Sequence, residues 1–163
     1  MTSLPLSLSS SASSSRLSAL TSPGFAARWE ADPGTKSPWV ALGLPSGLRF
    51  EALSRVVIDF HWAYADDYKI YLSSSLSPSS PPALLHDSSV FVHNAQLSAS
   101  YDFAARVVTH DVRLVEGGAL AGKDPGFDTL TLRMLRGATP DPVSIWCIRL
   151  WGGVAEQGVQ HQV

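Results

Sequence analysis

Arg55-Val56-Val57-Ile58-Asp59-Phe60-His61-Trp62 is the stretch whose reading decides the fold. Val56, Ile58, Phe60 and Trp62 occupy alternate positions, with Val57, Asp59 and His61 between them. Successive side chains of a strand point to opposite faces, so this spacing describes a strand with one face on a core. A helix would place its apolar residues three and four apart instead. The β-branched Val and Ile and the aromatic Phe favour the pleated form as well.

The same period recurs on both sides. Downstream, Tyr68, Ile70 and Leu72 alternate again, and a Ser/Pro loop follows over residues 73–82. Val90-Phe91-Val92 and residues 106–114 are further strand candidates, and residues 93–103 read as a loop. Residues 116–127 contain four glycines and a proline and read as a long connection. Leu130, Leu132 and Met134 then alternate with Thr129, Thr131 and Arg133. After a loop over residues 137–143, Trp146, Ile148 and Leu150 share one face of a last strand, and Cys147, Arg149 and Trp151 the other. Upstream, residues 39–44 form a short apolar run closed by Pro45-Ser46-Gly47. Short alternating runs separated by Gly, Pro and Ser clusters predict an all-β jelly-roll β-sandwich of about eight antiparallel strands.

Composition narrows the class. The chain has 163 residues, a size that suits one domain, and 45% of them are hydrophobic, which excludes a disordered chain. The formal net charge is −2 and no stretch concentrates Lys or Arg, so nucleic acid is not an expected partner. No apolar run approaches the roughly 20 residues of a transmembrane helix. Cys147 is the single cysteine, so an internal disulfide and a zinc site built on several cysteines are both excluded. Residues 1–20 are rich in serine and read as a first strand or a tail; residues 21–152 read as the sandwich, and residues 153–163 as a C-terminal tail. No positive charge precedes Arg16, and Leu4, Leu6 and Leu8 are scattered, which does not describe a secretory signal. The absence of an acidic residue before Glu30 is compatible with a transit peptide.

Three segments carry a resemblance. Phe25-Ala-Ala-Arg-Trp-Glu-Ala-Asp-Pro-Gly-Thr-Lys-Ser-Pro-Trp-Val-Ala-Leu-Gly-Leu44 resembles the opening of a discoidin, or coagulation factor 5/8 type C, domain. Ala63-Tyr64-Ala65 followed by Asp67-Tyr68-Lys69-Ile70 resembles its central hairpin, and Ser144-Ile-Trp-Cys-Ile-Arg-Leu-Trp-Gly152 its closing strand. The resemblance implies a galactose-binding-like sandwich, similar to family 32 carbohydrate-binding modules, that binds ligands through loops at one end. Many sugar-binding members hold a structural calcium with an Asp-Gly-Asn turn and an acidic residue in the closing strand. Here Ser22-Pro23-Gly24 and Cys147 stand at those places, so no calcium, other metal or cofactor is expected.

The resemblance places a saccharide site on residues 30–37 and 61–67, with residues 93–103 as a second contributor. Ligand-binding candidates are Glu30, Asp32, His61, Trp62, Tyr64, Asp66 and Asn94, with Lys36 and Tyr101 nearby. A sugar needs an aromatic ring for its apolar face and convergent donors and acceptors for its hydroxyls. Bland roles compete: Trp29 and Trp39 suit the core, Trp62 continues the core-facing alternation, and Asp66 and Asp67 suit a turn. No Gly-x-Ser-x-Gly or His-Glu-x-x-His is present, and the residues of His86-Asp87 and His110-Asp111 point opposite ways on a strand, so no catalytic site is expected. The histidines His61, His86 and His93 are too dispersed for a metal site. The leading expectation is thus a carbohydrate-binding domain. The alternative is a protein-interaction subunit that uses Val57, Tyr71, Leu135 and Trp151 as an outward apolar patch.

Overall fold

The computed structural model describes residues 7–12, 17–21, 28–45, 48–50, 53–62, 65, 67–76, 79, 81–89, 95–114, 126–135 and 141–151. Among them are ten strands: β1 (Ser7–Ser10), β2 (Trp29–Glu30), β3 (Trp39–Gly43), β4 (Arg55–His61), β5 (Tyr68–Ser73), β6 (Ala83–Asp87), β7 (Ala95–Asp102), β8 (Val107–Leu114), β9 (Thr129–Met134) and β10 (Ser144–Trp151). A single 3-10 turn, Leu17–Leu20, is the one helical element among the described residues. The first sheet runs β1-β3-β9-β5-β6 and the second β2-β10-β4-β8-β7, every pairing antiparallel. The expected all-β sandwich is present, with more strands than the alternation revealed.

The additional strands lack the period that identifies a half-buried strand. In β6, Leu85, His86 and Asp87 are consecutive and all buried although two of them are polar, so apolar and polar positions do not alternate. Strand β7 lies at the sheet edge, and residues 97–102 are all exposed; it occupies most of the span read as a loop. Strand β1 is built from serines around Leu8 and pairs Ser7 with Gly43 and Ser10 with Val40. The strand expected at Val90-Phe91-Val92 lies outside the described residues.

The core lies between the sheets. Strand β4 contributes Val56, Ile58 and Phe60, facing Val40, Leu42, Ile70, Leu72, Leu130, Leu132 and Met134 of the first sheet. Trp29 is fully buried, as expected, but Trp39 is only half-buried, on the outer side of β3 with Ala41 and Gly43. The last strand also departs from simple alternation. Ile145 pairs with Phe60, and Cys147 pairs with the next residue, Asp59, which marks a β-bulge. The bulge puts Ile145, Ile148 and Leu150 in the core and releases Trp146 from it.

Two polar contacts tie the sheets together through the core. Trp29 donates its indole N–H to Ser10 Oγ at 3.2 Å, joining β2 to β1. Tyr68 Oη lies 3.0 Å from His110 Nδ1, joining β5 to β8. His86 is buried beside Tyr68, ring centroids 5.7 Å apart, and neither of its ring nitrogens meets a hydrogen-bond partner among the described residues. Burial pushes the His110 imidazole down to about 4 and also lowers His86.

The outer face of the second sheet is polar but closed. Arg149 Nη2 donates to Asp59 Oδ1 at 3.0 Å, and Thr109 Oγ1 donates to the same oxygen at 2.8 Å. Arg55 grips Asp111 with two hydrogen bonds of 2.8 and 2.7 Å. The Trp151 ring is flanked by the guanidinium groups of Arg55 and Arg149, at 4.4 and 5.6 Å. Under these long side chains Val57 is buried, so it is not the outward contact residue expected of it.

Because His110 and His86 stay neutral when folded, acid favours the unfolded chain, which takes up protons near pH 6.5. Stability is full above about pH 6.5 and falls toward pH 4, by up to about 1.4 kcal/mol per pH unit for each histidine. Thermal unfolding followed across that range checks the slope, and His86→Leu flattens it. Asp59→Ala leaves Arg149 and Thr109 without their acceptor and lowers stability by about 2 kcal/mol in urea unfolding.

Candidate functional site

One end of the second sheet gathers groups that its framework does not use. There β4 ends at His61, opposite Val107 at the start of β8, and Asp102 at the end of β7 pairs with the same Val107. Glu30 of β2 pairs with Ser144 at the start of β10. The rims of neighbouring strands therefore converge.

The bulge in β10 carries Trp146 to this end, where its ring packs edge-on to His61 with centroids 5.6 Å apart. The Arg28 guanidinium lies 5.5 Å from the Trp146 ring centroid, and its Nη2 is 3.6 Å from Glu30 Oε2. Glu30, Arg28, Trp146 and His61 thus form one contiguous series. Burial lowers the His61 pKa, and the charges of Arg28 and Arg106 add to that; Glu30 and Asp141 oppose it. His61 is neutral at pH 7 and offers one N–H donor and one ring-nitrogen acceptor.

Beside this series is an aromatic surface. Trp62 is 42% exposed and meets Phe103 edge-on at 5.4 Å; Phe103 is 74% exposed. Tyr101, 52% exposed, lies nearly parallel to Phe103, with centroids 6.4 Å and planes 20° apart. The tight connection between β7 and β8 presents Phe103. Asp102 Oδ1 accepts the Ala105 N–H at 3.1 Å, and Arg106 takes a left-handed φ of 57°. A non-glycine residue in that region is uncommon and closes the turn at some cost in strain.

The candidate residues fare differently. Glu30, His61 and Trp62 come together. Trp62 leaves the core-facing alternation because β4 ends at His61, so the period no longer governs its direction. Asp32 is half-buried, and its carbonyl accepts the Thr35 N–H at 3.2 Å across a turn where Gly34 takes a φ of 81°. Lys36 is exposed. Tyr64, Asp66 and Asn94 lie outside the described residues. Sequence reasoning missed Arg28, Trp146 and Phe103 as contributors. Phe103 was legible in principle, as an apolar residue at a tight turn; Trp146 was concealed by the bulge. The outward apolar patch does not form as one surface: Val57 and Trp151 belong to the second sheet, Tyr71 and Leu135 to the first.

Other chemistries find little here. Among the described residues no three His, Cys, Asp or Glu side chains gather as a metal site would require. Cys147 is buried, and its thiol is pushed up to about 11 by burial, far from a nucleophile's range. His86 and His110 point into the core while Asp87 and Asp111 bond outward, to Lys69 and Arg55, so neither adjacent pair is an orienting couple.

No protein-family model matches the sequence, and no curated protein sequence matches it. Solved structures do share its fold. Chitosan-binding module 1 of a chitosanase/glucanase from Paenibacillus sp. IK-5 superposes with a TM-score of 0.65 at 14% identity, over 92% of this chain and 97% of that one. Module 2 of the same enzyme, in complex with chitotriose, gives 0.62 at 17% identity over 92% and 98%. The CBM32 of AlyQ, in complex with 4,5-unsaturated mannuronic acid, gives 0.51 at 11% identity over 93% and 98%. The chain therefore has the β-sandwich fold of these carbohydrate-binding modules.

Arg28→Ala removes a cation that depresses His61 and frees Glu30 to act on it. The His61 pKa rises toward 6.5 in an NMR pH titration. An unmoved titration would show that burial alone sets the value.

Proposed function

We propose that this chain is a non-catalytic carbohydrate-binding domain whose ligand lies across Trp62, Tyr101 and Phe103 at the loop end of the sandwich. The observation that carries this reading is the trio of exposed aromatic rings set beside the Glu30–Arg28–Trp146–His61 series. Exposed rings clustered at one place leave apolar area in water that a pyranose face can cover. In this reading Trp62 is the stacking ring, neutral His61 both gives and accepts a hydrogen bond, and Glu30 accepts from hydroxyls. Asp32, Tyr64, Asp66 and Asn94 are proposed to extend the site along the adjoining loops. The modules of the same fold that are seen with chitotriose and with an unsaturated mannuronic acid support a saccharide as the ligand class.

A screen of the purified protein against a glycan array, with calcium and then with a chelator, tests the proposal. Binding to a defined glycan that survives the chelator is expected. Trp62→Ala lowers that affinity about tenfold or more, because a stacked ring contributes on the order of 1 kcal/mol beyond area burial. Trp62 is 42% exposed and rests on Phe103, so the same change lowers stability by on the order of 1 kcal/mol, and a folded Trp62→Ala protein that binds at full affinity would overturn the stacking role. No binding at high protein concentration would sink the saccharide reading and leave a protein partner as occupant of the aromatic surface.

A further inference from the structure

The outer face of the first sheet holds a concavity of about 430 Å³, apart from the aromatic surface. Its walls include Lys69, Tyr71, Asp87 and Arg133, with Asp67 and Leu135 at the rim nearest the loops. Register explains the arrangement. Asp87, Lys69, Arg133 and Trp39 are directly opposed residues on β6, β5, β9 and β3, one row across the sheet. In the next row Tyr71 is opposed to Thr131, and Thr131 to Ala41. Of that row Tyr71 borders the concavity.

The charges are unusual for a sheet surface. Lys69 and Arg133 are directly opposite, and like charges so placed repel. Lys69 Nζ is 3.7 Å from Asp87 Oδ2, while Asp87 Oδ1 is occupied by the Ser89 N–H and hydroxyl at 3.0 and 2.7 Å. Arg133 is exposed and forms no ion pair among the described residues. Two cations thus flank one space; of its two carboxylates Asp87 pairs with Lys69 and Asp67 stands at the rim, which leaves Arg133 without an ion pair among the described residues. An anionic group entering there relieves the repulsion and meets the guanidinium fork. The remaining walls suit a sugar better than a bare anion: Tyr71 presents a ring, Leu135 is an exposed apolar wall, and the Asp67 carboxylate can accept from hydroxyls. Two cations on a chain of net charge −2 are too few for a nucleic-acid backbone.

On the footing of the carbohydrate reading above, we propose that this groove is a second saccharide site that takes an acidic glycan, its anionic group between Arg133 and Lys69 and its ring against Tyr71. Uronate carboxylates and sulfate esters share that chemistry.

NMR titration of the isotope-labelled protein tests the proposal with two probes, a tetragalacturonate and a sulfated dextran oligomer. With at least one of them, amide shifts are expected at residues 67–71 and 133–135. Arg133→Gln, an exposed substitution, weakens that binding about tenfold or more, and so does raising salt from about 0.01 M to about 1 M. Trp62→Ala leaves it unchanged. Which probe binds identifies the anionic group. Shifts confined to residues 61–62 and 101–103 would place the acidic glycan at the aromatic end and overturn the groove, with the carbohydrate reading intact. The groove is likewise overturned if neutral glycans engage Trp62 and neither acidic probe moves residues 67–71. Inorganic sulfate matching both oligomers would overturn the saccharide assignment of the groove, and no glycan binding anywhere would remove the reading on which it stands.

Discussion

The structure depends on the register of β4 between β10 and β8. This strand is central in its sheet, and its alternation commits every second residue to the core. A slip of one residue would turn Val56, Ile58 and Phe60 outward and bring Arg55, Asp59 and His61 into the apolar interior. The cost of burying those groups without partners makes the observed register the only workable one. The same register delivers Asp59 to Arg149 and Thr109, and delivers His61 to the rim.

Polar contacts then determine how the two sheets sit on each other. Apolar packing is non-directional, so many relative placements of two greasy faces would bury similar area. The Trp29–Ser10 and Tyr68–His110 contacts are directional, and each needs one particular alignment across the core. The second of them puts an imidazole where charge is penalised. The specificity it confers therefore comes with sensitivity to acid, a trade common for polar groups in cores. Within the first sheet, Asp128 supplies directional contacts between neighbouring strands. It accepts from the Ser75 N–H and hydroxyl and from Thr129, and so holds the turn after β5 against the start of β9.

At the end proposed to bind saccharide, small irregularities matter more than the regular ladders. The bulge in β10 re-aims Trp146 onto His61, and the left-handed Arg106 closes the turn that lifts Phe103 into solvent. Both depart from ideal strand geometry, and both supply rings that a continuous ladder would have turned into the core or spread along a face. The groove on the first sheet is built differently, from an unbroken row of opposed residues on rigid strands. One chain thus presents an aromatic rim at strand ends and a turn, and a charged trough across the strands of the other sheet.

The period-two alternation at residues 55–62, 68–72, 129–134 and 144–151 already specified an antiparallel sandwich, because strand periodicity is a local property that needs no knowledge of partners. Composition likewise disfavoured nucleic acid and a cysteine-based zinc site, and the candidates Glu30, His61 and Trp62 were legible from the chain and its resemblance. Other features were not. β6 and β7 carry no alternation, one being buried along consecutive residues and the other lying exposed at an edge. The bulge at Trp146, the exposure of Trp62, the burial of Val57 under two arginines and the meeting of Lys69 with Arg133 depend on which strands lie side by side and in what register. Pairing joins residues far apart in sequence, and only the tertiary structure decides it.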